Sequence, residues 1–210
     1  LGDYQGAIAD YNKAIAINTQ LADVYNNRGL IKGGDLGDHQ GAIADFNKAI
    51  ELDPQNAVAY YNRGNAKSKL GDYQAAIADY TKAIEIDPQD ADAYYNRGLI
   101  KGRDLGDHQG AIADYNKALA IDPQLVLAYN NRGYAKFKLK DYQGSISDYN
   151  KAIEINPKDA LAFANRGDSK SRLGKEKDAC IDYKKAASLG YQAAAQFLNS
   201  EGGAWCRNMR

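Results

Sequence analysis

Residues 57–90 read AVAYYNRGNAKSKLGDYQAAIADYTKAIEIDPQD, and this stretch decides how the rest of the chain is interpreted. Small and aromatic residues recur at helical spacing over 57–69, after which Gly71 breaks the helix and Asp72 is placed to cap a second one. Pro88 disfavours helical backbone at the residue before it and so closes the unit. The stretch therefore predicts two helices joined by a tight turn. The second helix carries an apolar stripe formed by Ala76, Ile77, Tyr80, Ala83 and Ile84.

The same pattern recurs along the chain with a period of 34 or 35 residues. A single helix pair cannot bury its own apolar face, so neighbouring pairs must stack on one another. We therefore predict an all-α solenoid. The string aromatic-x-Asn-Arg-Gly, which lies in the first helix of each pair, starts at Tyr25, Tyr60, Tyr94, Tyr129 and Phe163.

This arrangement resembles the tetratricopeptide repeat family, in both repeat length and signature slots. The resemblance implies a right-handed superhelical solenoid of antiparallel helix pairs, with first helices lining a concave groove and second helices on the outer face. It also implies a scaffold that binds other proteins. In 57–90 the signature slots are filled by Tyr60, Gly64, Ala76, Tyr80, Ala83 and Pro88.

The pattern divides the chain into repeats. Residues 1–20 resemble the second helix of a repeat whose first helix is absent, and we expect 191–199 to form a capping helix and 200–210 a flexible tail. We expect the chain, which opens at Leu1, to be a fragment or a processed form. Between these ends, 21–190 hold five repeats, over 22–56, 57–90, 91–125, 126–159 and 160–190.

The bulk composition excludes several functional classes. The 210 residues carry no net charge, which argues against a nucleic-acid-binding protein, and no apolar run is long enough for membrane insertion. Cys180 fills a slot that Ile holds in other repeats, and we interpret it as a small buried apolar residue; Cys206 lies in the tail. A reducing compartment, and so the cytoplasm, is favoured.

No catalytic motif is present, so we predict that the chain is not an enzyme and needs no cofactor. His39 and His108 fill a slot that Tyr73 holds in another repeat. Although Asp35 and Asp38 lie near His39, we expect helix capping and packing there and no metal site.

Two departures from the family pattern recur. An Arg stands where the family has a large apolar residue, and every second helix carries an Asp. We predict Arg–Asp pairs between the two helices of each repeat, with ligand binding by the arginines as the alternative. The second departure is one extra residue near Gly33 and near Gly102, which we interpret as a frayed helix end and a longer turn. The arginines are Arg28, Arg63, Arg97, Arg132 and Arg166; the aspartates are Asp45, Asp79, Asp114, Asp148 and Asp182, with Asp10 in the half repeat.

One asparagine slot recurs in every first helix. An amide has both a donor and an acceptor, so a row of amides can hold the backbone of an extended peptide. The row resembles the asparagines that line the groove of the O-linked N-acetylglucosamine transferase, which implies peptide binding here. Hydrogen bonding within the solenoid, or simple copying during repeat duplication, is the alternative. The residues are Asn27, Asn62, Asn96, Asn131 and Asn165.

The first-helix segments together carry a net charge of +9. Part of it belongs to the paired arginines, and the rest favours acidic partner segments, with a solvated charged face as the alternative. Self-association through the apolar stripe of 1–20 and a regulatory role in a larger protein are the competing interpretations. Besides Lys67, Lys136 and Lys170, the candidate groove residues are Lys69, Arg103, Lys138 and Arg172, with the aromatic anchors Tyr61, Tyr95, Tyr134 and Phe137.

Overall fold

The computed structural model describes residues 3–207, and the regular structure of this range is helical throughout, which confirms the all-α prediction. None of the helices in 3–207 is long and apolar enough to cross a bilayer. The helices are α1 (Tyr4–Ile17), α2 (Ala22–Gly34), α3 (His39–Leu52), α4 (Ala57–Lys69), α5 (Tyr73–Ile86), α6 (Ala91–Leu99), α7 (His108–Ile121), α8 (Val126–Lys138), α9 (Tyr142–Ile155), α10 (Ala160–Arg172), α11 (Glu176–Ser188), α12 (Gln192–Asn199) and α13 (Ala204–Arg207). A π-helical turn, Ile100–Asp104, follows α6, and a 3-10 turn, Glu201–Gly203, precedes α13.

The chain divides into two compact units, Leu1–Ile100 and Lys101–Arg210. In the first unit, α2 pairs with α3 and α4 with α5, while α1 packs on α2, α3 on α4, and α5 on α6. In the second unit, α8 pairs with α9 and α10 with α11, while α7 packs on α8, α9 on α10, and α11 on α12. Helix pairs are therefore stacked within each unit.

Helix boundaries follow from capping chemistry. Asp72 begins α5 by accepting a hydrogen bond from the backbone N–H of Ala75, and Asp141 does the same for Gly144 at the start of α9. These carboxylates satisfy N–H groups that have no partner within the helix. Gly71, with φ of +81°, reverses the chain between α4 and α5, in a backbone region that favours glycine.

The core of each repeat alternates alanine with an aromatic ring. In α9, Ala152 is fully buried and Tyr149 is 1% exposed. The first helix approaches this ring closely: a Cβ atom added to Gly133 of α8 would lie 3.0 Å from the ring of Tyr149. The glycine of the Asn-Arg-Gly string is therefore a packing requirement, since any larger side chain would push the two helices apart.

The extra residue near Gly102 does not fray the first helix, contrary to the expectation. It is taken up by the π-helical turn over Ile100–Asp104, a geometry that accommodates one additional residue within a helix. Gly102 has a packing reason, because a Cβ there would lie 3.0 Å from the Cβ of Ala111. A Cβ at Gly33 would likewise lie 3.0 Å from the Cβ of Ala42. The first helix of that repeat, α2, also remains helical as far as Gly34.

The C-terminal segment corrects two predictions. Cys180 is not a free buried residue: it forms a disulfide with Cys206, and both are shielded from solvent. Residues 201–207 are not a loose tail, because the disulfide holds α13 against α11 and the ring of Trp205 contacts that of Phe197. Residues 208–210 of that predicted tail lie outside the described range. A disulfide is typical of an oxidising environment, which argues against the reducing compartment.

The N-terminal helix α1 contains no buried residue, unlike α5 at the same repeat position. Its backbone hydrogen bonds therefore have less tertiary support. We expect the amide protons of α1 to exchange with solvent faster than those of α5, because exchange reports local opening and α1 buries little apolar surface. Hydrogen exchange followed by mass spectrometry measures both helices in one sample, and equal protection would contradict the expectation.

Candidate peptide-binding surface

The predicted Arg–Asp pairs are present in all four repeats that lie within one unit. In each, the arginine Nε and Nη2 donate to the two oxygens of one carboxylate, at 2.9–3.0 and 2.5–2.6 Å. Bidentate pairs of this kind fix geometry as well as charge. Because the carboxylates are buried, these arginines are structural. The pairs are Arg28–Asp45, Arg63–Asp79, Arg132–Asp148 and Arg166–Asp182.

Each arginine also reaches the preceding second helix. Arg63 Nη1 donates to Asn47 Oδ1 at 2.7 Å, and Arg97 Nη1 donates to Thr81 Oγ1 at 2.9 Å. The guanidinium of Arg63 also lies over the ring of Tyr60, 5.4 Å from its centroid, a cation–π geometry. One side chain thus joins three helices of two consecutive repeats.

The structure corrects the assignment of Lys67, Lys136 and Lys170 to the groove. The Nζ atom of Lys67 lies 2.7 Å from Asp79 Oδ2, so this carboxylate pairs with both Arg63 and Lys67. Lys136 and Lys170 pair in the same way with Asp148 and Asp182. Most of the positive charge counted on the first helices is therefore neutralised inside the repeats.

Two members of the asparagine row bond to neighbouring first helices. Asn62 Nδ2 donates to Asn26 Oδ1 at 3.1 Å, and both residues are buried. Asn96 Nδ2 donates to Tyr61 Oη at 2.9 Å. Part of the hydrogen-bonding capacity of the row is thus used within the first unit. Asn27, by contrast, is exposed on α2.

In the second unit, α8 and α10 expose three apolar residues, of which only Tyr134 was predicted from the sequence. Leu127 of α8 and Leu161 of α10 are exposed. Tyr134, about two turns after Leu127 on α8, is exposed as well. Helical spacing places Leu127, Asn131 and Tyr134 on one face of α8. Next to this face lies a shallow pocket lined by Tyr134, Phe137, Tyr149, Asn165 and Asp168.

Asn130 contributes an unsatisfied acceptor to the same helix. Its Nδ2 donates to Asp159 Oδ2 at 2.6 Å, and its side chain is only 8% exposed. Its Oδ1 is buried and accepts no hydrogen bond from any residue in 3–207. Leaving such an oxygen unpaired costs about 1–3 kcal/mol.

The acidic member of the pocket is held by a tyrosine. Tyr183 Oη donates a hydrogen bond to Asp168 Oδ1 at 2.8 Å. Burial raises the pKa of the Asp168 carboxyl, whereas the bond from Tyr183 and the charge of Arg172 lower it. Burial likewise raises the pKa of the neighbouring Tyr149 hydroxyl, so this phenol stays protonated.

The remaining candidates lie in two separate groups. In the first unit, Tyr61 is half-buried and contacts the ring of Tyr80, while Lys69 is exposed; Tyr95 is also half-buried. In the second unit, Arg172 is exposed, Arg103 pairs with Asp104, and the Lys138 ammonium lies 5.8 Å from the ring centroid of Tyr134. In the second unit, Tyr134 and Asn165 line the pocket, Lys138 lies beside Tyr134, and Arg172 lies near Asp168, while Asn131 is half-buried on α8.

The histidines have packing roles. The ring of His108 meets that of Tyr134 edge-on, and His39, the first residue of α3, lies next to Gly33 near the end of α2. Within residues 3–207, no group of three His, Cys, Asp or Glu side chains is arranged to hold a metal ion.

Stacked helix pairs of constant length define a helical repeat protein. Comparison with family profiles identifies the family of helical repeat proteins to which the chain belongs. A profile described as TPR repeat matches residues 1–33, 35–71 and 102–140, more than half of the chain. Profiles described as tetratricopeptide repeat match 57–90 and 126–159, and 79–113. The chain belongs to the tetratricopeptide repeat family, whose members are protein-interaction scaffolds.

Several solved structures share this fold. YrrB, described as a TPR protein with an unusual peptide-binding site, is 23% identical, with 90% of this chain and 98% of YrrB covered and a TM-score of 0.78. MamA is 26% identical, with coverage of 83% and 94% and a TM-score of 0.75. The C-terminal part of a repeat protein from Cytophaga hutchinsonii is 20% identical, with coverage of 94% and 78% and a TM-score of 0.77. A comparison with curated protein sequences gives no significant match.

Proposed function

We propose that the chain binds an extended segment of a partner protein on the faces of its first helices. Family membership supports a scaffold, and the surface chemistry of α8 and α10 supports the kind of segment. The observation that carries the proposal is the exposure of Leu127 and Tyr134 on α8, beside a pocket that Tyr134 itself lines. An extended peptide offers apolar side chains that cover Leu127 and Tyr134, and backbone N–H donors for the oxygens of Asn165 and Asp168 in the pocket.

The asparagine row adds polar contacts to this proposal. Asn165 lies in the pocket wall, and Asn27 is exposed on α2. Asn62 and Asn96 have one amide N–H each in hydrogen bonds to a neighbouring helix, which holds their side chains in a fixed orientation. An amide of fixed orientation loses less conformational entropy on binding. In the proposal, the row both joins first helices and contacts the peptide.

The charges support a segment that carries acidic residues beside an apolar anchor. Lys138 and Arg172 are exposed on α8 and α10, near the pocket, and Lys69 is exposed on α4. Asp168 repels a second carboxylate within the pocket itself. We therefore place an apolar side chain of the partner in the pocket and its acidic residues towards Lys138 and Arg172.

Replacing Leu127 by Ser should weaken peptide binding by about tenfold or more, because apolar anchors at the centre of an interface commonly contribute over 1 kcal/mol. Peptides selected from a random displayed library against the wild-type chain provide the ligand. Their dissociation constants are then measured by isothermal titration calorimetry for the wild type and the variant.

The matched control is Ile181→Ser. Ile181 is 58% exposed on the second helix α11, against 57% for Leu127, so the two substitutions remove equally exposed aliphatic groups. Equal affinities for the two variants would refute the proposed surface. Thermal unfolding should be nearly the same for both, since neither residue is part of the core.

A further inference from the structure

The turn between the first and second helix has the same short pattern in three repeats and departs from it in two. The four residues read DLGD at 35–38, KLGD at 69–72 and DLGD at 104–107, with net charges of −2, 0 and −2. They read KLKD at 138–141 and RLGK at 172–175, with net charges of +1 and +2. Both positive turns belong to the second unit.

Lys140 replaces a glycine that the backbone of this turn favours. Its φ is +65°, the only positive value at a non-glycine residue in 3–207, and the equivalent residues Gly71 and Gly106 have φ of +81° and +72°. A residue with a Cβ atom is unfavourable in this left-handed region, whereas glycine adopts it readily. Lys140 is exposed, so it contributes no core packing in return. Folding alone therefore favours glycine at this position.

Lys175 replaces an aspartate that caps a helix. It holds the N-cap position of α11 without a side-chain hydrogen bond to the helix, whereas Asp141 caps α9 through the Gly144 N–H. Its ammonium group is also unfavourable at the positive end of the helix dipole. Lys175 and Lys140 are both exposed, and neither forms an ion pair with a side chain in 3–207. Each lysine thus weakens its own turn while it adds a positive charge.

The two positive turns are neighbours at one edge of the second unit. Ser145, in the first turn of α9, shares a buried hydrogen bond of 2.9 Å with Ser169, near the end of α10. The start of α9 therefore lies beside the end of α10, and the turns that adjoin these ends, 138–141 and 172–175, lie side by side. Each turn also exposes one leucine, Leu139 in the first and Leu173 in the second. We call these two turns the basic edge.

The pocket of the proposed peptide-binding surface adjoins the basic edge. Phe137, which lines the pocket, immediately precedes 138–141, and its ring contacts that of Tyr142, which follows this turn, with 5.4 Å between centroids. Asp168, also in the pocket, lies one helical turn before Arg172. An extended chain advances about 3.3 Å per residue, so residues about two to four positions from a side chain in the pocket reach the basic edge.

We infer that the basic edge binds an acidic stretch of the partner segment whose apolar side chain occupies the pocket. This rests on the proposed function, since the pocket must anchor the segment, and it makes Lys140 and Lys175 the residues that select for acidic sequence. Carboxylates of the stretch pair with the two ammonium groups, and its apolar atoms cover Leu139 and Leu173. Such binding accounts for two locally unfavourable lysines in neighbouring turns.

An anionic membrane surface could also pair with these lysines. Two observations favour the peptide. The chain as a whole carries no net charge, and the basic edge exposes only Leu139 and Leu173 as large apolar groups, each by less than half of its surface. A flat lipid surface would also leave the adjoining pocket unfilled. Binding to vesicles is therefore an outcome of the test.

The test uses the full chain and a double variant that restores the local rules, Lys140→Gly with Lys175→Asn. Glycine suits the left-handed backbone, and asparagine is a good N-cap. The probes are peptides selected from a random displayed library against the wild type. Those with Asp or Glu beside an apolar residue should bind the double variant about fivefold more weakly or worse, by isothermal titration calorimetry, because two charge pairs are lost. The melting temperature of the variant should equal or exceed that of the wild type, since both changes relieve a local cost.

The matched control is Lys117→Gln with Lys158→Gln. It removes the same two charges from exposed positions of the second unit, on α7 and in the turn between α9 and α10, and should leave the affinity unchanged. Peptides in which Asn and Gln replace Asp and Glu should bind the wild type and the Lys140→Gly, Lys175→Asn variant equally. Added salt should weaken binding of the acidic peptides more for the wild type than for this variant.

Four results would overturn the inference. They are equal affinity of the wild type and the double variant for acidic peptides, a selection without acidic residues beside the apolar one, a fall in melting temperature that marks the lysines as structural, and loss of binding to phosphatidylserine vesicles with peptide affinity unchanged. The last would assign the basic edge to a membrane. The two proposals fail separately: if only this one is wrong, Leu127→Ser still weakens binding more than Ile181→Ser, whereas that difference vanishes if the proposed function is wrong.

Discussion

Replacing Asp148 by Ala is expected to lower the free energy of unfolding by about 3–5 kcal/mol, because it leaves two cations in the protein without their shared partner. Asp148 accepts two hydrogen bonds from Arg132 and lies 2.8 Å from Lys136, with only 4% of its side chain exposed. Without the carboxylate, the guanidinium and the ammonium repel each other next to the apolar core. Urea denaturation followed by circular dichroism measures the loss.

The control for this substitution is Glu154→Ala. Glu154 pairs with Lys151 on the same helix, but 68% of its side chain is exposed, so its loss should change the unfolding free energy by less than about 1 kcal/mol. A similar small effect for Asp148→Ala would mean that the cations reach solvent when their partner is removed, and that the network contributes little.

Replacing Cys206 by Ser is expected to destabilise the C-terminal end by about 3 kcal/mol, because the disulfide closes a loop over a sequence separation of 26 residues. The rest of α13 is held to the chain by the contact of Trp205 with Phe197 and by hydrogen bonds from Arg207 to Leu198 and Ser200 carbonyls. We expect faster hydrogen exchange in α11 and α12, with little change in α8.

A reducing agent provides the control. Dithiothreitol should shift the wild type to the exchange rates of Cys206→Ser and should leave the variant unchanged. An unchanged wild type would show that packing of Trp205 alone holds the segment, and that the disulfide adds nothing measurable.

The sequence predicted the repeat fold and the Arg–Asp pairs because both are periodic. An arginine and an aspartate that recur at fixed slots in each repeat must have a fixed relation in space once the helices pair. The same logic, applied to Lys67, Lys136 and Lys170, would have found their pairing, since a Lys stands at that slot in all five complete repeats. Counting them as groove cations ignored this regularity.

Features that occur once could not be read from the period. The disulfide joins a repeat position to a segment with no repeat pattern. Only two features of the sequence indicated it: the even number of cysteines, and a Cys at position 180 where other repeats have Ile. Hydrogen bonding by the asparagine row depends on amide orientation, which packing decides. Asn26 Oδ1 therefore accepts a hydrogen bond from Asn62 of the row, whereas Asn130, which holds the slot of Asn26 in a later repeat, keeps an unsatisfied oxygen.

The triple contact of each arginine bears on how this protein could change in length. The residue that accepts the Arg Nη1 bond from the following repeat is Asn12, Asn47, Asn116 or Asn150, with Thr81 as a chemically similar substitute. Interfaces along the chain are thus nearly interchangeable. Unequal recombination that removed or duplicated a two-repeat block such as 22–90 would rejoin a familiar donor to a familiar acceptor. Loss or gain of such a block therefore creates no kind of repeat interface that the chain does not already contain.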